Sequence, residues 1–156
     1  MATSGELILE LTRVVHAAPA RVYAALTVPE VLATWWGPRG FSALNVEVDL
    51  RVGGQYRIMM QPPNGAAFHL RGEFREVEPD SRLAYTFNWE EPDPDDRETV
   101  VGISLRHLGN GATELAMHQG VFATEARRTL HQDGWSESLD KLERLMSATP
   151  PDRTSR

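Results

Sequence analysis

The chain contains no cysteine. That excludes disulfides, a thiolate nucleophile and Cys-ligated zinc. Basic residues never gather beyond the pair Arg127 and Arg128, and 16 Lys+Arg against 22 Asp+Glu leave a formal charge of −6. The electrostatic footprint of a nucleic-acid binder is therefore missing. No apolar run approaches the roughly 20 residues that span a bilayer, and the opening MATSGELILE has no basic segment leading into an apolar one. A cytoplasmic protein with neither nucleic-acid nor membrane contacts is expected. Phosphate-cradling glycine patterns and a G-x-S-x-G nucleophile turn are also lacking.

What is present points to one ordinary core. At 156 residues, 41% hydrophobic and 24% charged, the chain fits a single domain, expected over residues 6–148 and followed by a short flexible tail at 149–156. Leu7, Leu9 and Leu11 alternate with Ile8, Glu10 and Thr12, which predicts a half-buried strand from Glu6 to Val15. Pro19 and Pro29 then open two short helices, PARVYAAL and PEVLATWW, the second ending before Gly37-Pro38.

From Phe41 to Phe122 the period is two. Six strands are read around Leu44–Leu50, Tyr56–Met60, Phe68–Phe74, Leu83–Trp89, Val101–Leu105 and Leu115–Val121, with turn chemistry such as Gly53-Gly54 and Gly109-Asn110-Gly111 between them. Asp49 and Arg51 are placed to brace the first of these turns. A long amphipathic helix follows from Thr124 to Met146, with Trp135, Leu139, Leu142 and Met146 on one face. This order is α+β, so the sheet is expected to be antiparallel with its helices on one side.

The strand parity carrying Tyr56, Phe68, Phe74, Tyr85, Phe87 and Trp89 is predicted to be buried, opposite a wet parity that includes Arg57, Arg71, Glu73, Arg75, Thr86, Asn88, Ser104, Arg106 and Glu114. Aromatic rings on one wall and Trp135 on the other either interlock as core or leave a hollow. Pattern alone does not choose between these. His69, His118, His16 and His107 are predicted to be exposed. His131, one turn before Trp135, is the candidate general base, with no orienting partner legible. The ends of His131-Gln132-Asp133 fall on different helix faces, and the acidic run Glu90 to Asp96 reads as a solvated connection, so no metal and no cofactor are expected.

The stretches APARVYAALTVPEVLATWWGPRGF, VEVDLRVGGQYRIMM, GEFREVEPDSRLAYTF and DGWSESLDKLERL, in that order, resemble bacterial proteins similar to the activator of heat-shock protein 90 ATPase. These belong to the START-like, or SRPBCC, superfamily. The resemblance implies the helix-grip fold: a curved antiparallel sheet of about seven strands around a long C-terminal helix, two short helices after the first strand, and a pocket between sheet and helix. It implies that one of Trp35 and Trp36 lines or caps that pocket while the other packs structurally.

A small hydrophobic ligand is the expected partner. Its lining is expected from Trp35, Trp36, Tyr56, Ile58, Phe68, Leu70, Tyr85, Phe87, Val101, Ile103, Met117, Gln119, Trp135 and Leu139, with Tyr56, Tyr85 and Gln119 as polar anchors. A cyclase or dehydratase acting on a polyketide-like substrate is the alternative, and it requires His131 to meet Tyr56, Tyr85 or Gln119. A co-chaperone role is the remaining implication; the chain's length accommodates one helix-grip domain without the extra N-terminal domain of the eukaryotic activators. A homodimer formed through the sheet is a further expectation, from Met59 and Val100 among the arginines of the wet face.

Overall fold

Two prolines, one bulge and one glycine shape the fold of this protein, whose computed structural model describes residues 6–148; the tail expected at 149–156 lies outside them. The elements run β1 (Leu9–Val15), α1 (Pro19–Thr27), α2 (Pro29–Trp35), β2 (Ser42–Val48), β3 (Gln55–Gln61), β4 (Phe68–Glu78), β5 (Arg82–Trp89), β6 (Thr99–Gly109), β7 (Ala112–Gly120) and α3 (Glu125–Ala148). Pro19 and Pro29 each start a helix, where the missing N–H is one that no helical carbonyl can pair. Thr124 caps α3, its hydroxyl accepting the amide of Arg127 at 3.1 Å.

The seven strands form one sheet in the order β1-β7-β6-β5-β4-β3-β2, antiparallel throughout. It curls around α3, whose Trp135, Leu139, Leu142 and Met146 are all buried. This is the helix-grip arrangement expected above. β1 and α3 are also joined by charge. Arg13 donates to Asp140 at 2.8 Å, to Glu143 at 2.7 Å and to the Ser136 hydroxyl at 2.9 Å.

Three expectations about the strands need correction. β1 starts at Leu9 rather than Glu6. In β2 the inward parity does not run from Leu44 to Leu50: Asn45 adopts φ 48° at a register shift, so Ala43 is buried while Leu44 is 42% and Leu50 39% exposed. A bulge inserts one residue and flips the faces on either side of it, and asparagine tolerates the left-handed conformation this one uses. Thr86, assigned to the wet parity, is 2% exposed. Its two oxygens are spoken for. The hydroxyl accepts the Glu73 amide at 2.8 Å and the carbonyl accepts the Tyr56 hydroxyl at 2.7 Å.

That last bond explains Gly72. Tyr56 stands opposite Gly72 in the β3–β4 register, and its ring passes over the glycine to reach β5. A Cβ at position 72 would lie 1.9 Å from the Thr86 oxygen and 2.6 Å from the Tyr56 ring. Gly54 is structural in the same way, leaving no room beside the Asp49 carbonyl, 2.1 Å from a built Cβ, while Gly53 supplies a φ of 86°; Asp49 accepts from Arg51 Nε at 3.0 Å as expected.

Gly72→Ala is predicted to cost on the order of 3 kcal/mol, because backbone and a buried ring must both shift, whereas Tyr56→Phe costs about 1 kcal/mol for the lost hydrogen bond. Urea denaturation midpoints measure both. A Gly72→Ala protein as stable as Tyr56→Phe contradicts the crossing described here.

Candidate functional site

The interior is not one large chamber. Most of the space between sheet and helix is filled by side chains less than 2% exposed, including Leu9, Ile58, Leu70, Leu83, Leu115, Leu139 and Leu142. A cavity of about 170 Å³ opens at one end, where the chain leaving α2 meets β3, β4, β5 and α3. Trp36, Gly37, Pro38 and Phe41 form its rim. Met60, Phe68, Phe87 and Trp89 form the sheet wall, and Leu130, His131, Gly134, Trp135 and Ser138 form the helix wall.

The walls are ring against ring. Trp36 meets Trp135 edge-on at 5.1 Å between centroids, Phe41 meets Phe68 at 6.2 Å, Phe68 meets Trp89 at 5.3 Å, and Trp89 meets Phe87 at 5.1 Å. Such edge-to-face pairs suit the quadrupoles of the rings and resist collapse into one another. Gly134 matters by lacking a side chain. It sits inside α3 opposite Pro38, where a built Cβ lies 3.4 Å from the proline ring and a long side chain would reach into the opening.

The Trp pair divides its work. Trp35 is 1% exposed and donates its indole N–H to the Ala25 carbonyl at 2.8 Å, fastening α2 to α1. Trp36 turns to the cavity. A second space of about 20 Å³ lies deeper, beneath Trp36, against Tyr56, Ile58 and Tyr85; it is about the size of one water molecule.

Of the residues expected to line a pocket, Trp36, Phe68, Phe87, Trp135 and His131 meet at the main cavity, and Tyr56, Ile58 and Tyr85 at the deeper space. Trp35, Leu70, Val101, Ile103, Met117, Gln119 and Leu139 line neither, because they pack into the filled part of the interior. Gln119 is 0% exposed with both its amide oxygen and its amide nitrogen engaged: it accepts the Trp135 indole N–H at 2.7 Å and donates to the Thr99 hydroxyl at 2.8 Å. The Tyr56 hydroxyl is bound to Thr86. Burial pushes the hydroxyls of both Tyr56 and Tyr85 well above their ordinary range, so both stay protonated near neutral pH.

Sequence reasoning missed Gly37, Pro38, Phe41, Met60, Leu130, Gly134 and Ser138 as lining. It placed Trp89 on the buried parity without assigning it to the site. One signal was available: a glycine in the middle of a long helix costs about 1 kcal/mol relative to alanine and calls for a packing or functional reason.

His131 lies half-buried at the helix wall, its ring 5.3 Å from Phe87, 5.9 Å from Trp89 and 4.9 Å from Phe122. Burial lowers its pKa to about 4, with Asp96 pulling upward and Arg127 downward. It is neutral at physiological pH. No described residue hydrogen-bonds to its ring, so the pairing with Tyr56, Tyr85 or Gln119 that a cyclase needs is not formed. Behind it, Arg127 holds the β5–β6 connection through Asp93 at 2.9 Å and Asp96 at 3.5 Å. The acidic run is thus tied to α3 rather than simply solvated.

His16, His107 and His118 are exposed as expected, but His69 is not. It sits on the outer sheet face with Nδ1 buried and without a hydrogen bond, 3.5 Å from Glu91. His69, Glu90 and Glu91 bring three potential metal-ligating atoms within 4.8 Å of one another. Glu90 is already clasped by the Arg57 fork at 2.7 and 2.9 Å, which also holds its carboxyl below the usual range. Among the described residues, no helix is long and apolar enough to cross a membrane.

The family of activator of Hsp90 ATPase homolog 1-like proteins matches residues 16–147. A structure from Chromobacterium violaceum is 31% identical with a TM-score of 0.81, covering 90% of this chain and 96% of that one. One from Nitrosomonas europaea is 30% identical, TM-score 0.76, covering 91% and 95%. The AHSA1 protein of Silicibacter pomeroyi is 25% identical, TM-score 0.78, covering 90% and 98%. No curated protein matches the chain.

His131 gives the site a pH signature. Between about pH 6.5 and about pH 4 the unfolded chain carries a proton on this residue that the folded protein refuses, so stability falls as pH drops through that window. The loss attributable to His131 is about 2–3 kcal/mol. Urea titrations of wild type and His131→Phe at pH 7 and pH 4.5 measure it. The variant is expected to lose distinctly less stability on acidification; an equal loss in both proteins contradicts a neutral, desolvated imidazole.

Proposed function

The chain belongs to the activator of Hsp90 ATPase homolog 1-like family, and from that premise we propose that it is a cytoplasmic binding module for a small, largely apolar or aromatic molecule held between the sheet and α3. The observation that carries this reading is the ring-lined cavity of about 170 Å³ at Trp36, Trp89 and Trp135. An engineered apolar cavity of roughly 150 Å³ holds a benzene molecule. One ring therefore fits, and a longer ligand would extend past Leu130, which is 56% exposed at the mouth. A concave apolar space lined by rings, with few polar groups, is the usual form of a ligand site.

Burying about 150 Å² of a single-ring compound at roughly 25 cal/mol per Å² yields about 4 kcal/mol, or a Kd near 1 mM. Screening must therefore use fragments at millimolar concentrations. At tenfold excess over Kd the expected stabilisation is about 1.4 kcal/mol, a Tm rise of roughly 3–5 °C, with a change in tryptophan emission.

Gly134→Leu, which fills the opening, is expected to abolish both responses in a folded protein. Gly134→Ala places a Cβ 3.4 Å from Pro38 and is expected to raise stability by up to about 1 kcal/mol. The reading is refuted if no single-ring compound shifts wild type, or if Gly134→Leu responds as wild type does.

A further inference from the structure

The cavity has few polar groups, and the structure shows the hydrogen-bonding state of each. Ser138 donates to the Gly134 carbonyl at 3.0 Å within α3, and the Trp135 indole is committed to Gln119. Three ring groups on lining residues have no hydrogen-bond partner among the described residues: the indole N–H groups of Trp36 and Trp89, and the imidazole of His131. A neutral imidazole supplies one N–H and one acceptor nitrogen, whereas an indole supplies a donor alone. Donors therefore exceed acceptors around this space.

Charge narrows the ligand further. Arg127, on the far side of His131, is satisfied by Asp93 and Asp96; Asp95 and Arg97 border the same small recess. Arg39 at the rim lies 3.9 Å from Glu137. Among the described residues that line the main cavity none is a Lys or Arg; Lys141 meets the Pro38 carbonyl at 3.4 Å, and Arg97 borders only the recess. An anion entering it would lose its hydration without a counter-charge, and protonating His131 to supply one runs against its burial.

Resting on the binding reading above, we infer that the ligand is an uncharged single-ring compound with a hydrogen-bond acceptor oxygen, and that this oxygen takes the His131 N–H. A hydrocarbon over the same donors strips their water and returns no bond. A ketone or similar group satisfies one. His131 is the best-placed donor because it lines both the main cavity and the recess behind it, fixed among Phe87, Trp89 and Phe122.

Three planar probes of one shape separate the possibilities: α-methylstyrene, acetophenone and benzoate, titrated by NMR into wild type and His131→Phe at pH 7. In wild type, acetophenone is expected to bind at least as tightly as α-methylstyrene although water retains the ketone better, and benzoate at least tenfold more weakly. In His131→Phe, the ratio of the ketone and hydrocarbon Kd values is expected to move about tenfold toward the hydrocarbon, the usual worth of one buried hydrogen bond. A readout that needs no variant is the infrared carbonyl stretch of acetophenone bound to wild type, expected below its frequency in hexane.

An unshifted carbonyl, a ratio indifferent to His131, or benzoate binding as well as the ketone each overturns the inference while leaving α-methylstyrene binding, and hence the binding function, intact. Failure of all three probes to bind at millimolar concentration removes the binding function and this inference together.

Discussion

The buried amide of Gln119 is the constraint on which the rest of the interior depends. It links Trp135 on α3 to Thr99 at the start of β6 through two short hydrogen bonds in a place without solvent. A buried donor or acceptor left unpaired costs about 1–3 kcal/mol, so sliding α3 along the sheet is opposed by more than lost packing. The indole held this way is also a wall of the cavity. One amide thus sets both the register of the helix and the orientation of a ring that a ligand would touch.

Charge secures the same helix from a second direction. Arg13 on β1 reaches Ser136, Asp140 and Glu143, while Arg127 near the other end of α3 ties down the β5–β6 connection. Between these anchors lie Leu130, His131 and Gly134, which line the cavity and make no side-chain hydrogen bond, beside Trp135, which is held by Gln119.

Much of the architecture was legible because it follows from periodicity. Trp135, Leu139, Leu142 and Met146 announce the buried stripe of α3, and the alternation through Tyr56, Ile58 and Met60 survives in β3, while in β5 Leu83, Tyr85 and Phe87 are buried together with Ala84 and Thr86. Pattern failed where local geometry intervenes. Nothing in SALNVEV marks Asn45 as a bulge, so Leu44 was read on the wrong face, and Thr86 looks like any polar outward residue until Tyr56 is seen crossing Gly72. The cavity was least legible of all. Alternation says which residues face inward, but whether facing rings mesh depends on distances across the fold, so Leu70, Ile103 and Gln119 cannot be told from Phe68 and Phe87 by spacing.

The two kinds of boundary around the cavity differ in how firmly they are fastened. Its floor is bound by hydrogen bonds away from solvent, whereas residues 37–41 are joined to α3 by an exposed contact of the Arg39 amide with Glu137 at 2.9 Å and a part-buried one of Lys141 with the Pro38 carbonyl at 3.4 Å. Bonds that water can replace break at little free-energy cost, while buried ones open only with larger portions of the fold. On the binding reading proposed above, a guest would enter and leave by brief loosening of one short segment, without disturbing the shape that recognises it. Residence time and selectivity would then be governed by separate parts of the molecule.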